Sequence, residues 1–521
     1  MFRSGPVHAP KALLAAAAGC LLFAGCTSFR EYVDNGFKVG PNYCTPGTAV
    51  SEDSRWIDAA DPHLRVDAEN LSHWWTVFND PVLDGLIHDA YCQNLNVKQA
   101  AFRVLQARSV LAIARGNILP QTQTADGDFT HTQNSGALVP GSPLGGSAFS
   151  AWSMNFNLQW ELDFWGNFRR QIESADAQVG YSVADYDNVL VTLLGDVARN
   201  YVQVRTSQRQ IEVQSRNITE VRRVLKILET RLKEGNIVGI TGEPVDVAQF
   251  RCTAAQIEAQ IPAFEIAKRT AENQLCILLG MLPSDIRSRL GDGPIPMAPP
   301  EVAIGIPADL VRRRPDVRQA ERAAAAQSAQ IGVAEADLYP HFYINGSIGY
   351  EAQRFSDLFG PNALAGSVGP SFSWNILNYG RLVNNVRLQD QKFQELVLAY
   401  QQSVLTATGE VENGLVQFLR SQEECKSLAE AVAGAEKALG IMNEQVKGGT
   451  ARYDQMATVI QVNLVPSQNL LAQAQQGVAV GLINAYQAMG GGWELRLTEQ
   501  QPAPAQPQAQ ELIPPPDALT R

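Results

Sequence analysis

Trp152-Ser153-Met154-Asn155-Phe156-Asn157-Leu158-Gln159-Trp160-Glu161-Leu162-Asp163 alternates an apolar with a polar residue at every step. A period of two puts Trp152, Met154, Phe156, Leu158, Trp160 and Leu162 on one face of an extended strand. Ser153, Asn155, Asn157, Gln159, Glu161 and Asp163 take the other face. A strand of about ten residues with one apolar face suits a half-buried sheet or the wall of a membrane β-barrel. The residues after Asp163 decide between them. From Gly166 to Lys233 there is no proline, and Leu190, Leu194, Val197, Tyr201, Val204, Ile211, Ile218, Leu225 and Leu232 recur at three- and four-residue spacing. That is a coiled-coil seam on a helix of roughly 100 Å. Such a helix is far too long to serve as the cover of a globular sheet.

The pattern is written twice. Asn94-Leu95-Asn96-Val97-Lys98-Gln99-Ala100 aligns with Arg314-Pro315-Asp316-Val317-Arg318-Gln319-Ala320, and Leu119-Pro120 with Tyr339-Pro340, both 220 positions on. Trp165-Gly166 aligns with Tyr379-Gly380 at 214, Gly195-Asp196-Val197 with Gly409-Glu410-Val411 at 214, and Asp246 with Asp454 at 208. A period this long marks a duplicated half rather than a stacked array. The predicted organisation is a signal peptide at 1–25, an N-terminal lipid-anchored segment at 26–79 and a first repeat at 80–282. A linker at 283–306, a second repeat at 307–489 and a disordered tail at 490–521 complete it. In the first repeat the strand pair falls at about 120–163, the long helix at 166–233 and the return helix at 245–280. The second repeat places them at about 340–377, 380–447 and 453–489. There Phe342, Ile344, Ile348 and Tyr350 alternate with polar residues, as do Val368, Phe372, Trp374 and Ile376. Gln121 to His131 is mostly polar and gives the faintest strand signal. Pro262 and Pro466 are expected to bend the return helices or displace their first turns.

The N-terminus reads as an export signal: Arg3 and Lys11 flank the apolar run Ala12 to Ala24. Leu22-Phe23-Ala24-Gly25-Cys26 resembles a lipoprotein cleavage site, with Cys26 as the acylated residue in preference to Cys20. Thr27 rather than aspartate next to it resembles lipoproteins sorted to the outer membrane. A net charge of −11 argues against a nucleic-acid partner. The internal cysteines, Cys44, Cys92, Cys252, Cys276 and Cys425, form no CxxC pair and read as apolar residues. The histidines have no metal-ligand spacing. No nucleophile–base order stands out, so neither enzyme activity nor a cofactor is expected. Arg312-Arg313-Arg314 before Pro315 reads as a polar turn, and Gly490-Gly491-Gly492 as a helix stop.

Four strands cannot close a barrel, and an open sheet edge cannot face lipid. The barrel must therefore be shared: two copies would fill their interior, whereas three leave a pore.

Val39-Gly40-Pro41-Asn42-Tyr43, Trp74-Trp75 to Phe78-Asn79-Asp80-Pro81-Val82-Leu83, Asn94-Leu95, Leu310 to Glu321 and Gly490-Gly491-Gly492-Trp493 occur in an order that resembles the TolC-like outer-membrane efflux proteins. The likeness is to their NodT-type lipoprotein branch, which serves resistance-nodulation-division pumps. The resemblance implies a mainly α fold with a membrane β-barrel. It implies a homotrimer whose twelve-stranded barrel, four strands per chain, continues as a long α-helical coiled-coil barrel in the periplasm. The implied partners are outer-membrane lipid, a periplasmic membrane-fusion adaptor and an inner-membrane transporter. The implied function is a passive conduit for small toxic compounds or drugs; the alternative is a type I protein-secretion channel.

Closure in that family lies at the periplasmic end, which here points to Arg452, Tyr453 and Asp454 past the Gly448-Gly449 turn. Asp454 is weighed there against a helix-dipole role at the helix start. This sequence departs from the family at Thr27 to Lys38, at the insertion Gly239 to Pro244, and at Thr458, where an aspartate is usual. Trp152, Phe156, Trp160, Phe372 and Trp374 are expected among the interfacial aromatics.

Overall fold

The computed structural model describes residues 28–47, 55–65, 71–135, 137, 147–234, 245–303, 313–448, 450 and 452–498. In chain order come α1 (Phe29–Asp34), β1 (Leu64–Arg65), α2 (Pro81–Gln93), α3 (Leu95–Gly116), β2 (Thr122–Gln133) and β3 (Ala148–Leu162). Next are α4 (Asn167–Lys233), α5 (Val245–Leu278), α6 (Arg287–Leu290), β4 (Val302–Ala303), α7 (Pro315–Ala336), β5 (His341–Ala352) and β6 (Leu364–Ser373). The chain closes with α8 (Arg381–Lys447), α9 (Tyr453–Thr458), a π-helical turn (Val459–Leu464), α10 (Val465–Ala488) and α11 (Leu495–Thr498). Both long helices, α4 and α8, have 67 residues.

Two compact units are built from these elements. One holds Met1–Gly47, Arg103–Ser182 and Gln319–Tyr400; the other holds Thr48–Phe102, Val183–Arg318 and Gln401–Arg521. Each sequence repeat contributes to both units.

In the first unit the four long strands form one antiparallel sheet in the order β2-β3-β5-β6. The duplication is visible in its hydrogen bonds. Trp160 donates its indole N–H to the Ile118 carbonyl at 2.9 Å, and Trp374 donates to that of Leu338 at 3.0 Å. Gly166 and Gly380 both have positive φ, 85° and 79°, where each long helix begins. β6 stops at Ser373, so Trp374 and Ile376 do not extend the alternation as expected. The residues ahead of α8 form a turn instead, with Tyr379 at φ 51°.

In the second unit α2 is capped by Asp80, whose Oδ1 accepts from Val82 N at 2.9 Å. Asp80 Oδ2 takes the Tyr201 hydroxyl at 2.6 Å, and Arg205 Nε donates to that hydroxyl at 3.0 Å. The first part of the expected seam is buried: Leu190, Leu194, Val197, Tyr201 and Val204 have no exposed surface, whereas Ile211, Leu225 and Leu232 are half-buried. Each fully buried aliphatic side chain among them contributes about 1.5–3 kcal/mol relative to leaving it in water.

Three expectations need correction. The tail does not lose structure at 490: Gly490 to Thr498 is folded, and α11 lies within it. Trp493 anchors this segment, with the guanidinium of Arg318 over its ring at 4.4 Å and that of Arg496 at 5.6 Å. Arg314 is no open polar turn. It is buried, bonded to Asp316 and Glu410 at 2.7 Å each and to the Ala488 carbonyl at 2.7 Å. Pro262 displaces no first turn, because α5 runs through it. Pro466 follows the π-helical turn.

Candidate channel wall and hairpin gate

The sheet register aligns like faces. Phe156 pairs with Ala125 on β2 and Ile348 on β5; Leu162 pairs with Phe342, which in turn pairs with Phe372. On the opposite face Ser153 and Asn155 lie between Asp128 and Asp126 on β2 and Glu351 and Gly349 on β5. The faint strand at Gln121 to His131 is a full partner, because β2 pairs with β3 along all twelve of its residues. Its Ala125 and Phe129 extend the apolar face.

Met154, Phe156, Ile348, Val368 and Phe372 are exposed. An exposed apolar face four strands wide suits hydrocarbon better than water. Each outer strand, β2 and β6, has one neighbour only among the described residues. No described helix is long and apolar enough to cross a membrane.

The second candidate site is the start of α9, in the other unit. Arg452 and Asp454 are brought together, with NH2 of the guanidinium 2.9 Å from Oδ2. Asp454 Oδ1 also accepts from Gln455 N at 2.9 Å. Tyr453 points elsewhere: Arg231 lies 5.8 Å from its ring centre, and Phe250 meets it edge-on at 6.4 Å. Within one chain, Arg452 and Asp454 form an ion pair at a helix start, and Tyr453 ties that start to the first hairpin. Cys26, the Gly239 to Pro244 insertion and Gly449 lie outside the described residues.

Sequence reasoning missed two arginine-centred sites. Arg170 is 2% exposed and binds the Val39 carbonyl at 2.9 Å, the Gly40 carbonyl at 2.6 Å, Asn42 at 3.1 Å and Glu173 at 2.7 Å. Lys38 also pairs with Glu173. A Cβ on Gly40 would stand 2.4 Å from the Gly332 Cα, so the strap can lie this close only as glycine on glycine. The Val39 to Tyr43 signature is thus a strap clamped to α4. Burial raises the Glu173 carboxyl, but the bonds from Lys38 and Arg170 outweigh it and hold the group below the usual carboxylate range.

The other missed site is Asp187, fully buried on α4. Its Oδ2 accepts from Arg318 at 2.8 Å, and Arg496 also bonds it. Burial pushes this carboxyl up, against the pull of Arg496 and Arg318. Only the arginine in the Arg-Pro-Asp-Val-Arg run and the tryptophan at 493 hinted at either partner.

These features have a match among known proteins. The outer membrane efflux protein profile fits residues 86–281 and again 306–491, once over each repeat. The chain belongs to the outer membrane efflux protein family.

This efflux protein is similar to Nodulation protein T of Rhizobium leguminosarum bv. viciae, at 30% identity over 480 residues and 90% of each chain. The pyoverdine export outer membrane protein OpmQ of Pseudomonas aeruginosa is 26% identical over 487 residues, covering 92% of this chain and 97% of the relative. The solved outer-membrane channel OprN superposes with a TM-score of 0.80 at 27% identity, over 88% of this chain and 99% of its own. The efflux protein therefore has the TolC-like channel fold, and the NodT-type resemblance read from sequence holds.

Proposed function

We propose that three copies of this chain close a twelve-stranded barrel through the outer membrane and extend it as a helical tube into the periplasm. The tube is a passive conduit for small toxic compounds. A periplasmic membrane-fusion adaptor and an inner-membrane resistance-nodulation-division transporter feed it. The observation that carries this reading is the sheet itself, apolar on one face across four strands, with β2 and β6 as its outer edges. Unpaired backbone groups in hydrocarbon cost several kcal/mol each. Pairing β6 of one copy with β2 of the next removes that cost and yields a closed ring. The relative named for pyoverdine export supports a small-molecule cargo.

Acylation of Cys26 adds a lipid anchor. Support comes from α1, which starts two residues past Thr27. Its Tyr32 donates to the Phe164 carbonyl at 2.8 Å and packs against Trp165 at 5.6 Å. Helix α1 is thereby held beside the end of β3, where the apolar face begins. Two or more acyl chains give stable anchoring.

The gate lies at Arg452, Tyr453 and Asp454. Three copies of Asp454 near the axis form an acidic ring, and Arg452 and Tyr453 latch it.

Planar-bilayer conductance of the purified full-length protein tests the conduit. A discrete open state is expected, and mass measurement in detergent should give a trimer; a folded monomer would reject the shared barrel. Asp454→Ala and Arg452→Ala should each raise the closed-state conductance, and silence from both moves the gate elsewhere. Cys26→Ser should end lipid labelling, whereas Cys20→Ser should leave it intact.

A further inference from the structure

The two return helices differ at one place. In the second repeat Val459–Leu464 is π-helical, and Val465 N donates five residues back, to the Ile460 carbonyl. Pro466 follows and has no N–H with which to restore four-residue bonding at Val462. At the repeat offset of 208 the counterpart is 251–256, which lies inside the unbroken α5, and Glu258 stands where Pro466 does. A π turn holds one more residue than the α turn it replaces, and such turns cluster at functional sites.

The surroundings allow this turn to change. Met456, below it, sits in an apolar cluster with Leu228 and Phe250, and the same cluster takes Ile460 within the turn and Val465 just past it. Beside that cluster, at and above the turn, the polar contacts to the first repeat are side-chain amides. Gln249 donates to Gln461 at 3.2 Å, and Gln461 donates to Gln256. Gln214 donates to Asn469 at 2.8 Å, and Asn469 donates to Gln260 at 2.9 Å. Each amide carries both donors and an acceptor, so a shifted register finds new partners without stranding a charge. An ionic seam would fix one register.

We infer that the π turn at Val459–Leu464 is the hinge on which the gate tip moves. It rests on the gate reading above and names how that gate is worked. Relaxing the extra residue into α geometry turns Tyr453–Thr458 against α10 by about 100° and ~1.5 Å. That motion takes Tyr453 off Arg231 and Phe250 and swings Asp454 with it.

Hydrogen exchange and conductance on the full-length channel test this together. Backbone amides of 459–465 should exchange about tenfold faster than those of 251–257 in the wild-type channel. Pro466→Ala supplies the missing donor, and deletion of Asn463 removes the extra residue. Each should slow exchange in the segment to that of its counterpart and raise closed-state conductance severalfold. Equal exchange of the two wild-type segments overturns the hinge. So does a folded Pro466→Ala channel with wild-type closed conductance; if Asp454→Ala still leaks, the gate reading survives that failure. If the Asn463 deletion does not fold, Pro466→Ala decides alone.

Discussion

The two repeats begin their long helices alike and treat them differently. Each has a tryptophan tied to the carbonyl before its strand pair, a glycine in the left-handed region, and a helix of 67 residues. Around the start of α4, Arg170, Lys38 and Glu173 bind the strap at Lys38 to Asn42. At the start of α8 no such strap lies among the described residues, and Val383 is exposed. The return helices diverge in the other sense, since α5 is continuous and the second one carries the π turn. Duplication supplied the backbone twice. The unpaired additions are a clamp on one copy and a turn in the other; with the hinge proposed above, the first repeat is the fixed member and the second the movable one.

The largest expected effect falls on the clamp. Arg170→Ala leaves buried carbonyls of Val39 and Gly40 without their donor and should cost roughly 3 kcal/mol. Thermal melting reads the loss, and limited proteolysis should cut within 36–45. Asn384→Ala, at the matching place on α8, should change little; equal losses would erase the contrast.

Glycine substitution sharpens it. A Cβ on Gly166 would meet the Lys38 side chain at 2.6 Å, whereas on Gly380 the nearest atom is 3.6 Å away. Gly166→Ala should cost roughly 2–3 kcal/mol through strain and crowding. Gly380→Ala carries the strain alone, about 1 kcal/mol.

Acid gives a smaller, signed effect. Glu173 is held below its ordinary range in the fold. Its stabilisation is therefore complete above the unfolded value of about 4.3 and disappears as pH falls through the lower folded value. Proteolysis of the strap should accelerate in that window in the wild type, and Glu173→Gln should flatten the pH dependence.

The smallest expected effect tests the likeness. Trp160→Phe and Trp374→Phe should each cost about 0.5–1 kcal/mol, for one lost hydrogen bond. Unequal losses would show that the shared bonds are not equivalent.

The fold was legible where a period carries it. The alternation at Trp152 to Asp163 and the spacing from Leu190 to Leu232 each specify an element and its apolar face from local sequence alone. β2 was faint because Ala125 and Phe129 share their face with Gln123, Gly127 and His131, while Asp126, Asp128 and the threonines fill the other. Its identity comes from pairing with β3. The clamp was illegible for a different reason. Arg170 lies about 130 positions from the carbonyls it binds, and no local pattern encodes that meeting. Residues 490–498 were lost to composition, because the Gln, Pro and Ala beyond them masked a segment held by Trp493 and Arg496. At the candidate gate the residue types were readable, but their partners were not. The proline at 466 announced a disturbance without saying that it lies just after a π turn.

The two open edges of the sheet bear on genetics as well as on architecture. A ring made by joining β6 of each copy to β2 of the next is only as sound as its worst seam. In the ring of three proposed above, a chain with one damaged edge can still join through its other edge, and it then leaves the whole assembly unclosed. Expressed beside an equal amount of the intact chain, such a variant would leave roughly one ring in eight free of it. Damage to β2 or β6 would therefore behave as a dominant trait, and damage confined to the interior of one protomer as a recessive one.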